Sequence, residues 1–134
     1  MTTRGNIAIA LAGVMLLAFA APARAIDLNG FRAQHGKPAL AFSGDLAAAA
    51  QYHAYELAQR GRLDHKGWRE RVSGSTTAAE NVSYGCASED CAIRQWARSS
   101  HHRRNMLMGG VSRYGIASAV DARGRRYWVL ELGN

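Results

Sequence analysis

The sequence predicts an α/β fold: a three-layer α-β-α sandwich around a small, mainly antiparallel sheet. Two observations carry this reading. SGDLAAAAQYHAYELAQRG, over residues 43–61, repeats apolar residues at helical spacing. The C-terminus holds two strand-like runs, YGIASAVD and RRYWVLELG, separated by Ala-Arg-Gly. A hairpin and helices that each bury one apolar face need one another as neighbouring layers.

Each element has its own local reason. Leu28, Phe31 and Arg32 fall at helical spacing in LNGFRAQHG, and Gly36 with Lys37-Pro38 stops that helix before Leu40. In the next helix Leu46, Ala50, Ala54, Leu57 and Ala58 make one stripe. Ser43 or Asp45 is placed to cap it, and Gly61 to end it. His53 borders that stripe and reads as a packing residue. Residues 62–79 are irregular, with WRERV (68–72) as one helical turn, and ENVSYG (80–85) reads as a short strand. CAIRQWARSS places Ile93, Trp96 and Ala97 on one face, with Arg94 and Arg98 on another. Ser99 and Ser100 suit the start of a following helical turn, HHRRNML, which ends at Gly109-Gly110. Gly124 suits a positive-φ position in the hairpin turn.

The first 25 residues read differently. Arg4 precedes the uncharged run IAIALAGVMLLAFAA, and Ala23-Arg24-Ala25 forms a small-x-small box. That order is a secretory leader cleaved near Ala25, too short to span a bilayer. The remaining residues 26–134 are expected to form one domain, periplasmic or secreted, monomeric and without a transmembrane segment. Cleavage removes Arg4 and Arg24 and so lowers the formal charge of +7 by two. A modest positive charge favours anionic envelope polymers or phospholipid surfaces; ordinary solubility is the plainer reading. The arginines are not interleaved with aromatic residues, and export argues further against nucleic acid.

Cys86 and Cys91 are the two cysteines of the chain. In an oxidising compartment they are expected to pair as a local disulfide. The C-x-x-C spacing of metal knuckles and redox motifs is absent. So small a loop stabilises by at most about 2 kcal/mol.

The polar residues with chemical potential are His65, Glu70, Glu80, His101, His102 and Glu131. An ordered set of short motifs surrounds them. It runs through N29-x-x-R32 with Gly36 and Leu40, the L46…A50…H53-A54 helix, His65 and A79-E80-N81. It continues through W96-x-x-S99-x-x-H102-R103-x-N105-x-L107 to Y127-W128. With these motifs the chain resembles the CAP superfamily of cysteine-rich secretory, antigen 5 and pathogenesis-related 1 proteins, in its short bacterial form. The resemblance covers nearly all of residues 28–133.

The resemblance implies an α-β-α sandwich with a cleft lined by His65, Glu80 and His102. It also implies a divalent cation, zinc by donor type, held by His65 and His102, and no organic cofactor. Neutral imidazoles suit zinc, and a neighbouring carboxylate would orient a ring or take a proton. Glu70 is the candidate second acidic residue, with a surface charge as the alternative. Ala79 replaces the family's glycine, so a tight turn is expected to be altered there. His101 also replaces a glycine, and is expected at the cleft rim because adjacent helical residues diverge by about 100°. Trp96 reads as core and Asn105 as a hydrogen-bonding tie; Arg103 and Arg104 read as solvated.

Three functions remain open from the sequence. One is an exported module binding a metal or a polar, lipidic or envelope ligand. Another is a metal-assisted hydrolase of a peptide, ester or envelope polymer, with Glu80 or Glu70 as candidates. The chain offers no nucleophile elbow and no H-E-x-x-H to support that enzyme. The third is an interaction domain whose cleft residues serve stability.

Overall fold

The computed structural model describes residues 24–72 and 77–134. The leader, apart from Arg24 and Ala25, and residues 73–76 lie outside the described residues. The elements run in order as α1 (Leu28–Gln34), β1 (Ala41–Phe42), α2 (Gly44–Arg60), α3 (Trp68–Val72), β2 (Thr77–Tyr84), α4 (Glu89–Ala97), α5 (Ser100–Met106), β3 (Arg113–Val120) and β4 (Arg126–Gly133). The strands form one sheet in the order β1-β3-β4-β2. β4 pairs antiparallel with both β2 and β3, and β1 adds a short parallel edge on β3.

Strand β4 shows why three layers form. Successive side chains of a strand point to opposite faces. Tyr127 and Val129 join the α2 layer with Ala50, Ala54, Leu57 and Val82. Trp128, Leu130 and Leu132 enter the other layer with Leu28, Phe31, Ile93, Trp96 and Met106 from α1, α4 and α5. From Tyr127 to Leu132, β4 is therefore apolar except at Glu131, as a central strand covered on both faces must be.

The helix ends follow local chemistry. The Ser43 side chain accepts from Leu46 N–H, and Gly61 ends α2 in the left-handed region at φ 65°. Ser88 caps α4, whose first turn carries Glu89 and Asp90 where helix N-termini favour anions. Ser99 holds the N-cap position of α5, yet its side chain makes no capping bond. The hairpin closes through Gly124 at φ 79°, with Gly124 N–H donating to the Asp121 carbonyl at 3.0 Å.

Some boundaries differ from the sequence reading. β2 starts at Thr77, before Glu80, because Thr77 and Ala79 pair with Gly133 and Leu132 across a register shift. Ala79 is buried in a strand with no positive φ, so no tight turn exists there to be altered. α5 stops at Met106, short of the two glycines. β1 has no sequence signal, since two residues are too few to show a period.

Cys86 and Cys91 form the expected disulfide, their Cα atoms 5.4 Å apart. It ties the end of β2 to the first turn of α4. The Cys86 carbonyl also accepts from Trp128 Nε1–H at 2.8 Å. A Cys86→Ser/Cys91→Ser double variant should fold and melt lower, with a loss of at most about 2 kcal/mol. Thermal unfolding with and without reductant checks this, and the reduced wild type should match the variant.

Candidate functional site

Glu80 anchors the site. It lies in β2 on the α2 side of the sheet and is buried. A buried carboxylate needs charged or hydrogen-bonding partners. His65, from the loop after α2, sets its Nδ1 2.7 Å from Glu80 Oε1. The His65 side chain is 50% exposed, against 1% for Glu80. The pair thus joins the interior to the surface. An acceptor at this distance puts a proton on His65 Nδ1, so in the neutral ring the lone pair lies on Nε2.

His53 supports the same carboxylate from within α2. Fully buried, it has Nε2 3.0 Å from the Asp64 carbonyl and 3.6 Å from Glu80 Oε1. The packing role expected of His53 is real, and its ring also ties the His65 loop to the helix. Glu131 faces Glu80 directly across the β2–β4 ladder and is also fully buried. Two carboxylates and the His53 ring thus cluster between sheet and α2.

The α5 side is positioned by amides. Asn105 Nδ2 donates to the Glu80 carbonyl at 3.3 Å and to Asn81 Oδ1 at 2.9 Å. Asn81 Nδ2 donates in turn to the His102 carbonyl at 3.0 Å. Asn105 is therefore the tie its place in the sequence suggests, and it sets the histidines of α5 against β2.

A cleft of about 260 Å3 opens between these elements, lined by His65, Trp68, Glu80, His101 and Asn105 together with Ala78 and Ala79. His101 is exposed at this cleft, as expected of a rim residue. His102, expected to line the cleft, is instead half-buried behind it: the lining holds His101, and the His102 ring centroid is 5.9 Å from that of His101. Burial, with further contributions from the nearby charges of His101 and His65, holds its imidazole below the ordinary histidine pKa. The neutral form, which is the metal-binding one, is thereby favoured. Glu70 is exposed on α3 and does not line the cleft. Trp68 is a cleft residue that sequence reasoning misses; its only signal is an aromatic three places after His65.

The donors allow a test of the expected cation. His65 has its Nδ1 held by Glu80, as a carboxylate holds a metal-binding histidine. His102 offers a ring biased toward neutrality. Among the described residues no three His, Cys, Asp or Glu side chains are arranged so that they could hold a metal ion together. The expected cation would thus have two ring nitrogens, of His65 and His102, as its protein donors. Such a pair does not fit a closed structural zinc centre.

Comparisons with known proteins agree with this architecture. The family model for the cysteine-rich secretory protein family, CAP, matches residues 27–132. No curated protein matches the chain in sequence. An outer surface protein of Borrelia burgdorferi superposes with a TM-score of 0.66 at 13% identity, over 80% of this chain and 86% of that one. An extracellular protein of Bacillus anthracis containing an SCP domain gives 0.63 at 21% identity, and a cysteine-rich secretory protein of Staphylococcus aureus gives 0.60 at 22%. Each covers 80% of this chain, which spans 38% of the Bacillus chain and 36% of the Staphylococcus chain. At these identities the solved structures speak for the fold alone. The family match extends from before α1 to near the end of β4, and on it the chain belongs to the CAP, or cysteine-rich secretory protein, family.

Proposed function

We propose that this chain is an exported CAP domain whose cleft binds a divalent cation, or a polar ligand of the envelope, through His65 and His102. The observation that carries the reading is the 2.7 Å contact between buried Glu80 and half-exposed His65. Burying a carboxylate to hold one tautomer of a surface histidine serves recognition better than packing. Bound there, a cation supplies a Lewis-acid centre with open positions for water or a ligand oxygen. Glu80 holds the His65 ring, Asn105 and Asn81 hold α5 in place, and Trp68 gives the cleft an apolar wall.

Export is supported by the leader pattern of residues 1–25 and by the extracellular description of the Bacillus neighbour. No described helix is long and apolar enough to cross a membrane. Metal-assisted hydrolysis is the second reading; Glu80, beside a histidine at the cleft, is the carboxylate that favours it. Loss of turnover on a peptide or ester panel in Glu80→Gln would support that reading.

Calorimetry with zinc on the chain from Ile26 tests the binding proposal. Wild type is expected to bind, and His65→Ala/His102→Ala to show no heat of binding. Glu80→Gln should weaken binding by about 10–100-fold, as for other groups that orient a metal-binding histidine. Identical titrations for wild type and the double variant would refute the metal site.

A further inference from the structure

A second hollow, of about 660 Å3, lies where the chain enters the fold. Arg24, Ala25 and Ile26 line it together with three carboxylates, Asp27, Glu89 and Asp90. Ile26 N–H donates to Asp90 Oδ1 at 2.6 Å, joining residues 64 positions apart. The Ile26 side chain packs against the core layer of α1 and α4. Asp90 also holds Arg94 at 3.1 Å, and Arg94 Nη2 donates to the Arg24 carbonyl at 3.3 Å. Residue 26 is thus anchored by side chain and backbone nitrogen, directly after the Ala23-Arg24-Ala25 box.

We propose that cleavage after Ala25 turns this groove into a socket for the new α-ammonium of Ile26, which ion-pairs with Asp90 and fastens the start of the mature chain to α4. The inference rests on the export reading above. Hydrolysis adds one water across the Ala25–Ile26 peptide bond. Ala25 leaves as a carboxylate, and the amine of Ile26 takes up the released proton at neutral pH. A neutral N–H with one hydrogen becomes a cation with three donors, which adds an ion pair to a bond the Asp90 carboxylate already accepts.

The surroundings suit that cation. Glu89 is held above the ordinary carboxylate range first by burial and then by the charge of Asp27, so a cation entering the groove meets carboxylates on more than one side. Cleavage removes Arg24 with its carbonyl and places a positive charge at Asp90 itself. Asp90 lies in the first turn of α4, which packs on α5, the helix of His101, His102 and Asn105. The uncut precursor lacks this ion pair and is the less stable form, which suits a chain that must be exported before it folds firmly.

The test compares chains starting at Ile26 and at Ala25, each with Asp90 and with Asp90→Asn, by thermal unfolding at pH 7 and low salt. The chain from Ile26 should melt about 2–6 °C above the chain from Ala25. In the Asp90→Asn background that gap should close, and in the wild-type background about 1 M salt should shrink it. Equal melting of the two Asp90 chains, or a gap that survives Asp90→Asn, would overturn the socket. Mass spectrometry of the exported protein judges the export reading separately. A mature product beginning at Ile26 supports it, and one beginning elsewhere overturns Ile26 as the natural terminus whatever the melting shows.

Discussion

Gly115→Ala is expected to leave little folded protein. Gly115 lies buried in β3 opposite Glu131, beneath the first turns of α2. A Cβ added there would meet Ala47 N at 2.0 Å, Leu46 C at 2.2 Å and Ala47 Cα at 2.6 Å. All three are backbone atoms, so no side chain can swing aside. The helix must move, yet Ser43 N–H is tied to the Tyr114 carbonyl at 2.8 Å beside the clash. Moving α2 also displaces His53 from Glu80, so the site is lost with the core. Overpacking of this kind costs about 3 kcal/mol or more, a large share of a small domain's stability. Soluble yield should fall sharply, and any folded fraction should melt more than about 10 °C lower. Gly109→Ala, with open space around its Cβ, is the control expected to be near neutral. A Gly115→Ala chain melting within about 2 °C of wild type would show that α2 does not press its backbone onto β3 at Gly115.

Arg32→Met should be nearly as damaging, for a polar reason. Arg32 is 1% exposed. Its Nε donates to the Pro38 carbonyl at 2.9 Å, and Nη1 donates to the carbonyls of Met106 at 2.8 Å and Met108 at 3.0 Å. One guanidinium thus closes the loop after α1 and satisfies the end of α5, where helix carbonyls lack intrahelical donors. Burial lowers its pKa from the ordinary arginine value, a sign of the desolvation those bonds must offset. Methionine keeps much of the aliphatic stem and removes every donor, which strands the carbonyls. A loss of about 3 kcal/mol or more is expected, read as a fall in melting temperature of more than about 10 °C. Arg32→Lys should recover only part of it, because an ammonium on a flexible stem does not reproduce the planar fork. Full recovery by lysine would show that charge alone matters here.

These two positions mark where the sequence stops being legible. α2 is readable because its stripe is long and regular and its caps are local, and the hairpin because its period and its glycine are local too. Gly115 sits in YGIASAV, which reads as strand whether or not a helix crosses above it. Arg32 sits at a helical position where an arginine is ordinarily solvated; its three carbonyls come from segments no local pattern joins to it. The site divides in the same way. Family resemblance marks His65, Glu80 and His102, and the structure brings His65 and Glu80 into contact through strand pairing and the loop after α2. The role of His53 as a second support for Glu80 is hidden in the sequence, because a buried histidine on a helix reads as packing. Glu70 suits the site by distance along the chain alone, and the α3 turn leaves it in solvent.

Nitrogen-detected NMR of the five histidine rings, recorded on the chain from Ile26 during zinc titration, tests whether the cleft binds metal through His65 and His102. Before zinc, His65 should carry its proton on Nδ1, because Glu80 accepts there. On addition, His65 and His102 should shift together and saturate together, while His53, held by the Asp64 carbonyl, and His35, held by the Phe31 carbonyl and Arg103, should keep their resonances. A His65 proton on Nε2, or zinc that shifts His53 and leaves His65 and His102 unmoved, would contradict the cleft as a binding site.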